Sequence, residues 1–170
     1  MDKAITTALF IVISMVLAML LFNATYPAVI QGSDSLSRMA LDAQDRLLSD
    51  LQIIHAAGEM DSNAWWQDSN ANGYFEVFIW VKNTGLNRIA SPESLDVFFG
   101  REGAFVYIPE ASRAGANYPQ WSWAIENGTS WDPTTTLRIT VRYGTTPLPG
   151  RYAIKLSLPN GITAEGFVGL

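Results

Sequence analysis

The feature that most constrains this chain is a long uncharged stretch near its start. No residue between positions 4 and 22 carries a charge, and the next charged residue along the chain is Asp34. A helix needs about 20 consecutive apolar residues to cross a bilayer, and a cleaved secretory signal has a shorter apolar region than this one. The stretch therefore predicts either a plain membrane anchor or a polymerisation helix, which is stored in the membrane and later packs against identical helices.

A second helical pattern follows the uncharged stretch. Its apolar residues recur at spacings of three and four: Leu36, Met39, Ala40, Ala43, Leu47, Leu51 and Ile54. This periodicity is typical of an amphipathic helix, and Gly58 is a natural place for it to end. The two patterns together predict one long helix over residues 5–57, kinked or loosened between Tyr26 and Ser33. Its apolar stripe is expected to cover either another subunit or the chain's own head domain.

The composition changes after Gly58, where two-residue alternation and turn residues take over. Strands are predicted over residues 74–81, 95–99, 104–108, 137–143, 152–158 and 162–168. Short strands with regular turns favour an antiparallel Ig-like β-sandwich. We therefore predict an α+β chain in which residues 1–58 form the hydrophobic helix and residues 59–170 form the sandwich head.

Composition excludes several classes of function. The net charge is −5 and no basic cluster is present, which argues against a nucleic-acid partner, because phosphate neutralisation requires clustered Lys and Arg. The chain has no cysteine and its one histidine is His55, placed near the end of the predicted helix. Disulfides, a zinc site and a His-dependent nucleophile are therefore not expected. The sequence predicts a structural protein rather than an enzyme.

One loop has a partial pattern for calcium. Its candidate oxygen ligands are Asp68, Asn70, Asn72 and Glu76. Oxygen-bearing residues at alternating positions followed by Gly73 resemble the start of a calcium loop, but the twelfth position is Ile79, where a bidentate acid is required. Asn72 and Gly73 equally favour a tight turn before a strand. The segment is predicted to be a calcium loop of weak affinity or a purely structural turn.

Two further surface features are visible in the sequence. Asn127 begins an Asn-Gly-Thr acceptor pattern for N-glycosylation and falls in a polar turn. Trp80 lies in a predicted strand, whereas the other tryptophans fall in predicted loops: Trp65, Trp66, Trp121, Trp123 and Trp131. These loop tryptophans are expected either to pack loop bases onto the sandwich or to form subunit contacts.

Several segments together resemble a known family. They are the start Ala4-Ile5-Thr6-Thr7-Ala8-Leu9-Phe10, the Val81-x-Asn83-x-Gly85 pattern followed by Asp96-Val97-Phe98, and the late Trp131-Asp132-Pro133, Gly150-Arg151-Tyr152 and Asn160-Gly161. In these segments the chain resembles archaeal flagellins (archaellins) and the related archaellum stator proteins, over almost its whole length. The resemblance implies a type IV pilin-like protein.

The resemblance implies a filament subunit for swimming. The apolar helices would leave the membrane and pack together as the core of a homo-oligomeric filament, and the heads would form its extracellular sheath. The archaellum motor and assembly platform would be the partner of this filament. The expected core positions are Ile5, Leu9, Ile13, Val16, Leu17 and Leu20. A membrane-anchored archaellum stator and an adhesive type IV pilin are the alternatives.

The resemblance also implies a processing site. Family precursors lose a leader after a basic residue, which places the candidate cleavage between Lys3 and Ala4. The family's leaders are longer and more basic than Met1-Asp2-Lys3, and they end in Lys-Gly or Arg-Gly. An uncleaved start, as stator-type relatives show, remains the other expectation.

Overall fold

The structure is a computed structural model that describes residues 2–61, 63 and 65–170. The chain divides into two compact units, Met1–Gln44 and Asp45–Leu170. The first unit is formed by most of helix α1, which runs without interruption through Pro27 and spans Asp2–Leu48. The described side chains from Lys3 to Leu47 are exposed and Leu48 is half-buried, and the last turn of the helix belongs to the second unit.

The second unit is a sandwich of two four-stranded antiparallel sheets. The strands are β1 (Leu51–Gly58), β2 (Phe75–Asn83), β3 (Asp96–Arg101), β4 (Ala104–Ile108), β5 (Gln120–Ile125), β6 (Thr136–Tyr143), β7 (Arg151–Ser157) and β8 (Thr163–Gly169). The first sheet has the order β1-β2-β6-β5 and the second β4-β3-β7-β8. A short helix, α2 (Ala111–Ala114), follows β4. The predicted class, a long apolar helix followed by an antiparallel β-sandwich, is confirmed.

The prediction that the helix continues to residue 57 is wrong. Residues 51–58 form β1, which pairs along its length with β2, and the two units divide after Gln44 rather than after Gly58. Leu51 continues the helical spacing of Leu47, but it is buried in the sandwich core. Pairing with β2 and burial of Leu51 outweigh the weak local preference for helix.

The prediction that Trp121 and Trp123 lie in loops is also wrong, because both belong to β5. Trp121 is buried, whereas Trp123 keeps 38% of its surface exposed at the edge of the sheet. Trp131 does lie outside the strands and is buried, as expected of a tryptophan that packs a loop onto the sandwich. Trp65 and Trp66 remain exposed.

The core forms between the two sheets from alternate residues of the strands. Its fully buried members include Val77, Ile79, Val81, Val97, Phe99, Leu137, Ile139, Val141, Ile154 and Leu156. The alternation that predicted the strands is therefore the same alternation that fills the core. The helix contributes none of these side chains, so the sandwich has its own core.

Candidate functional site

The junction at which the last turn of α1 meets the sandwich is a polar site of the second unit with many hydrogen bonds. A helix ends with carbonyl groups that have no partner inside the helix. Here the carbonyl oxygen of Leu48 accepts hydrogen bonds from the amides of Leu86 and Asn87, at 2.7 and 3.1 Å. The loop after β2 therefore caps the carboxyl end of α1.

Gly85 allows this loop to approach the chain that leaves the helix. Its amide donates to the carbonyl of Asp50 at 3.2 Å. A Cβ atom at position 85 would lie 2.6 Å from both the amide nitrogen of Asp50 and the carbonyl oxygen of Leu48. Both neighbours are backbone atoms, so a side chain fits only if one of the two segments moves.

Asn83 holds the same loop from inside the sandwich. It is fully buried, and its Nδ2 donates to the carbonyls of Asn87 at 2.9 Å and Trp131 at 3.1 Å. Its Oδ1 accepts from the amide of Gly85 at 3.0 Å. Val81, two residues earlier, is a core residue. The Val-x-Asn-x-Gly pattern of the sequence is thus the element that builds the junction.

Side chains from two loops fix the last turn of α1 as well. The carboxylate of Asp45 accepts from Nδ2 of Asn87 at 2.8 Å and from Nδ2 of Asn160 at 3.0 Å. Asn160 also donates to the hydroxyl of Ser49 at 3.0 Å. These bonds fix the last helical turn, which belongs to the second unit, to two loops of the sandwich.

Sequence reasoning noticed Asn83, Gly85 and Asn160 as family-like residues without assigning them a role, and it missed Asp45. Asp45 looked like one of several acids on a helix face. The sequence pattern that indicates this site is a glycine two positions after a polar residue, at the end of a buried strand. Such a pattern marks a place where backbone segments approach closely.

Three of the predicted calcium ligands lie in the loop before β2 and the fourth, Glu76, lies at the start of β2, but their oxygens already have partners. The Asp68 carboxylate accepts from the amides of Asn72 and Gly73, at 3.1 and 2.8 Å. Glu76 is buried, and its Oε1 lies 2.7 Å from Nη2 of Arg142. Its Oε2 accepts from Nδ2 of Asn70 at 2.8 Å. Arg142 thus supplies a positive charge beside the Glu76 carboxylate, which favours a structural turn, and calcium binding at this loop stays a prediction.

A buried acid that the sequence did not single out anchors this loop. Glu59 follows β1, and its carboxylate accepts from the amide of Glu76 at 3.1 Å and from both the amide and the hydroxyl of Ser69. Sequence reasoning missed Glu59 because it placed the end of a helix there. Across the described residues, no group of three or more His, Asp or Glu side chains is arranged to hold a metal ion.

The loop that contains Asp68 gives a prediction that distinguishes a calcium site from a purely structural turn. The Gly73 amide, followed by other loop amides, lowers the pKa of Asp68 below its ordinary value of 3.8. Its contribution to stability is therefore present above that ordinary value and is lost as the pH falls through the lower pKa of the folded state. Asp68→Ala should lower the melting temperature at pH 7 equally with and without a chelator. The difference from wild type should shrink at acidic pH. A chelator that destabilises wild type but not Asp68→Ala would instead show a calcium site.

The remaining predicted sites lie on exposed parts of the chain. Asn127 is exposed in the turn between β5 and β6, where its Oδ1 accepts from the amide of Thr136 at 2.8 Å. Lys3 and Ala4 lie inside α1, and the carbonyl of Lys3 accepts from the hydroxyl of Thr7 at 2.8 Å. Glycosylation and cleavage at these positions stay predictions. His55 lies in β1 rather than on the helix, with its ring 5.2 Å from that of Trp80.

The expected polymerisation-core residues are exposed on α1. They are Ile5, Leu9, Ile13, Val16, Leu17 and Leu20, each at least 44% exposed. By length and composition, α1 is the one helix among the described residues that could cross a membrane. The helix thus presents an apolar surface that lipid or other helices could cover.

Two solved structures are similar to this chain. The archaellum periplasmic stator protein FlaG from Sulfolobus acidocaldarius is 23% identical with a TM-score of 0.53, and the match covers 71% of this chain and 100% of that chain. A second structure, of the stator protein complex of FlaF and FlaG from the same organism, matches at 23% identity and a TM-score of 0.52, over 71% of this chain and 90% of that one. This likeness shows a shared fold. No protein-family profile matches the chain, and no curated protein matches its sequence.

Proposed function

We propose that this chain is a membrane-anchored structural protein of an archaellum, of the stator type rather than a filament subunit. The observation that carries the proposal is the fold likeness to FlaG, which is described as a periplasmic stator protein and is covered by the match along its full length. This likeness supports the stator alternative better than the filament role that the sequence first favoured.

The helix supports a membrane anchor. Its most apolar window has a mean hydropathy of 2.7, and none of that window is buried in the protein. Soluble monomers rarely expose contiguous apolar patches larger than a few hundred Å². A bilayer removes this surface from water while the helix satisfies its own backbone hydrogen bonds.

The junction supports a mechanical role. A stator must hold its position under load, so the segment that joins its anchor to its head has to resist bending. In this chain, main-chain bonds to Leu48 and side-chain bonds to Asp45 fix the last helical turn to the sandwich. Such a role needs no catalysis, and we propose that the chain is not an enzyme.

A second archaellum protein is the proposed partner. One of the similar structures is a complex of FlaG with FlaF, and we extend a partner of that class to this chain. The proposed site of action is the outer face of the cell membrane. The filament and adhesive-pilin alternatives place the chain instead in a surface polymer.

Motility tests the proposal. We expect cells that lack this chain to lose directed swimming in soft agar and to recover it when the wild-type chain is supplied. Attachment to surfaces should be unchanged, because an anchored stator takes no part in adhesion. Cells that swim normally but no longer attach would contradict the proposal and favour an adhesive pilin.

A further inference from the structure

A polar pocket lies on the outer face of the first sheet, away from the junction. It is bounded by β2, β6, β5 and the loop before β2, and every residue that lines it belongs to the second unit. Its volume is about 520 Å³, which is within the range of roughly 300–1,000 Å³ that is usual for ligand sites. Its polar lining includes Asn70, Glu76, Ser122, Arg138, Thr140 and Arg142.

The strand register places the lining side chains in rows across the sheet. Thr140 of β6 is paired with Phe78 of β2 on one side and with Ser122 of β5 on the other. Arg138 and Arg142 are two residues before and two residues after Thr140, so they share its face of the sheet. Their Cα atoms are about 13 Å apart along the strand. The two arginines therefore lie on either side of a row that carries two hydroxyl groups.

The pocket offers hydrogen-bond donors that no other group in the described part of the chain uses. Nε of Arg138 lies 3.2 Å from Oε1 of Glu126 but is not aligned for a hydrogen bond, and the terminal nitrogens of Arg138 have no partner among the described residues. The hydroxyls of Ser122 and Thr140 also have no partner there. Because a guanidinium donates and cannot accept, these groups require a ligand that is rich in acceptors.

The one carboxylate in the lining is already occupied. Oε1 of Glu76 accepts from Nε of Arg142 at 2.8 Å and lies 2.7 Å from its Nη2, and Oε2 accepts from Nδ2 of Asn70 at 2.8 Å. Nη1 of Arg142 has no partner among the described residues. The lining thus has two arginines and one glutamate, and its free polar groups are mainly donors. This balance favours a negatively charged ligand.

We propose that this pocket binds an acidic oligosaccharide through its carboxylate or sulfate groups. Arginine holds such oxyanions by paired, charge-assisted hydrogen bonds, and two arginines on either side of the floor require a ligand longer than one inorganic ion. Sugar hydroxyls suit Ser122 and Thr140, which both donate and accept, and the apolar faces of sugar rings suit the exposed part of Trp123 in the lining. An acidic peptide would match only the charges. The proposal concerns the sandwich alone and does not rest on the proposed function.

Probes of matched length test the chemistry of the ligand. Tetragalacturonate carries both the sugar rings and the carboxylates, maltotetraose carries the rings alone, and tetraglutamate carries the carboxylates alone. Each probe is titrated by calorimetry into the full chain in micelles of an uncharged detergent. We expect tetragalacturonate to bind at least roughly tenfold more tightly than either of the other two, because hydrogen bonds to charged groups are stronger than neutral ones and the hydroxyls and rings add to them.

Two substitutions separate ligand binding from the ion pair between Arg138 and Glu126. Both Arg138→Gln and Glu126→Gln remove this pair, but only Arg138→Gln removes the donors. We expect Arg138→Gln to weaken tetragalacturonate binding by roughly tenfold or more, and Glu126→Gln to leave it at least as tight. Arg151→Gln, which removes an ion-paired arginine of the other sheet, should leave the affinity unchanged.

The fluorescence of the buried tryptophans should show that all three variants are folded. The proposal is overturned if tetragalacturonate does not bind the wild-type chain, or if tetraglutamate or maltotetraose binds as tightly. Equal weakening by Arg138→Gln and Glu126→Gln would also overturn it, because the ion pair rather than the free donors would then decide the affinity.

Discussion

Replacing Gly85 by alanine should lower the melting temperature of the head by roughly 10 °C, which corresponds to about 3 kcal/mol for a domain of this size. The added Cβ would lie 2.6 Å from backbone atoms of Asp50 and Leu48. Overpacking of this kind costs typically about 1–3 kcal/mol. If the loop moves away, the hydrogen bonds that its amides donate to the carbonyl of Leu48 are lost as well. The emission of the buried Trp121 and Trp131 reports unfolding in the full chain.

Gly169→Ala is the matched control for this substitution. A Cβ at position 169 meets no atom within 4 Å, and the residue is exposed at the end of β8. We expect its melting temperature to stay within a few degrees of wild type, because surface substitutions away from special features usually change stability by about 0.5 kcal/mol or less. Equal melting temperatures for Gly85→Ala and Gly169→Ala would refute the close approach at the junction.

Replacing both Ile13 and Leu17 by aspartate should release the chain from the membrane. At the centre of a spanning helix each aspartate is unfavourable by about 2.5–3.5 kcal/mol, and each apolar residue that it replaces is favourable by about 0.3–0.6 kcal/mol. The pair therefore shifts insertion by roughly 6 kcal/mol, on the order of 10⁴-fold. No basic residue between positions 4 and 33 is available to pair with the new charges. The measurement is the share of the chain that stays in the membrane pellet after alkaline carbonate extraction.

The matched control replaces Ile13 and Leu17 by alanine. This change removes the same side chains without adding charge, so the chain should remain in the pellet. Tryptophan emission should match wild type in both variants, because the sandwich has its own core. An aspartate variant that resists extraction as well as wild type would refute the proposed anchor.

Much of the sandwich was predictable from local pattern. The strand over residues 137–143 alternates apolar and polar residues, and the structure buries its apolar face as expected. Residues 104–108 are a short apolar run after a turn, and they form β4 as predicted. β1 was not predictable in this way, because Leu47 and Leu51 continue a helical spacing, and the strand forms only through its pairing with β2. β5 was missed because its two tryptophans lie between turn residues, and burial of Trp121 depends on the opposite sheet.

The candidate site was predictable only in outline. Asn83 and Gly85 were visible as a family-like pattern, but their role depends on Leu48 and Asp50, which lie far from them in sequence. For the calcium candidate, the sequence showed only that Asp68 and Glu76 are close along the chain, on either side of the start of β2. It had no means of showing that Arg142, from β6, pairs with Glu76. At the junction and at the calcium candidate, contacts between segments that are distant in sequence decide which groups the polar side chains bind.

A stator remains anchored in the cell membrane, whereas a filament subunit leaves the membrane with the filament, and the two proposed roles therefore place this chain in different fractions of the cell. The most direct measurement is to shear the surface filaments from motile cells, purify them, and quantify this chain by mass spectrometry in the filaments and in the cell membranes. We expect the chain to stay with the membranes and to be at most a trace component of the filaments. Recovery of the chain as the principal subunit of the sheared filaments would contradict the proposed stator role and restore the filament role.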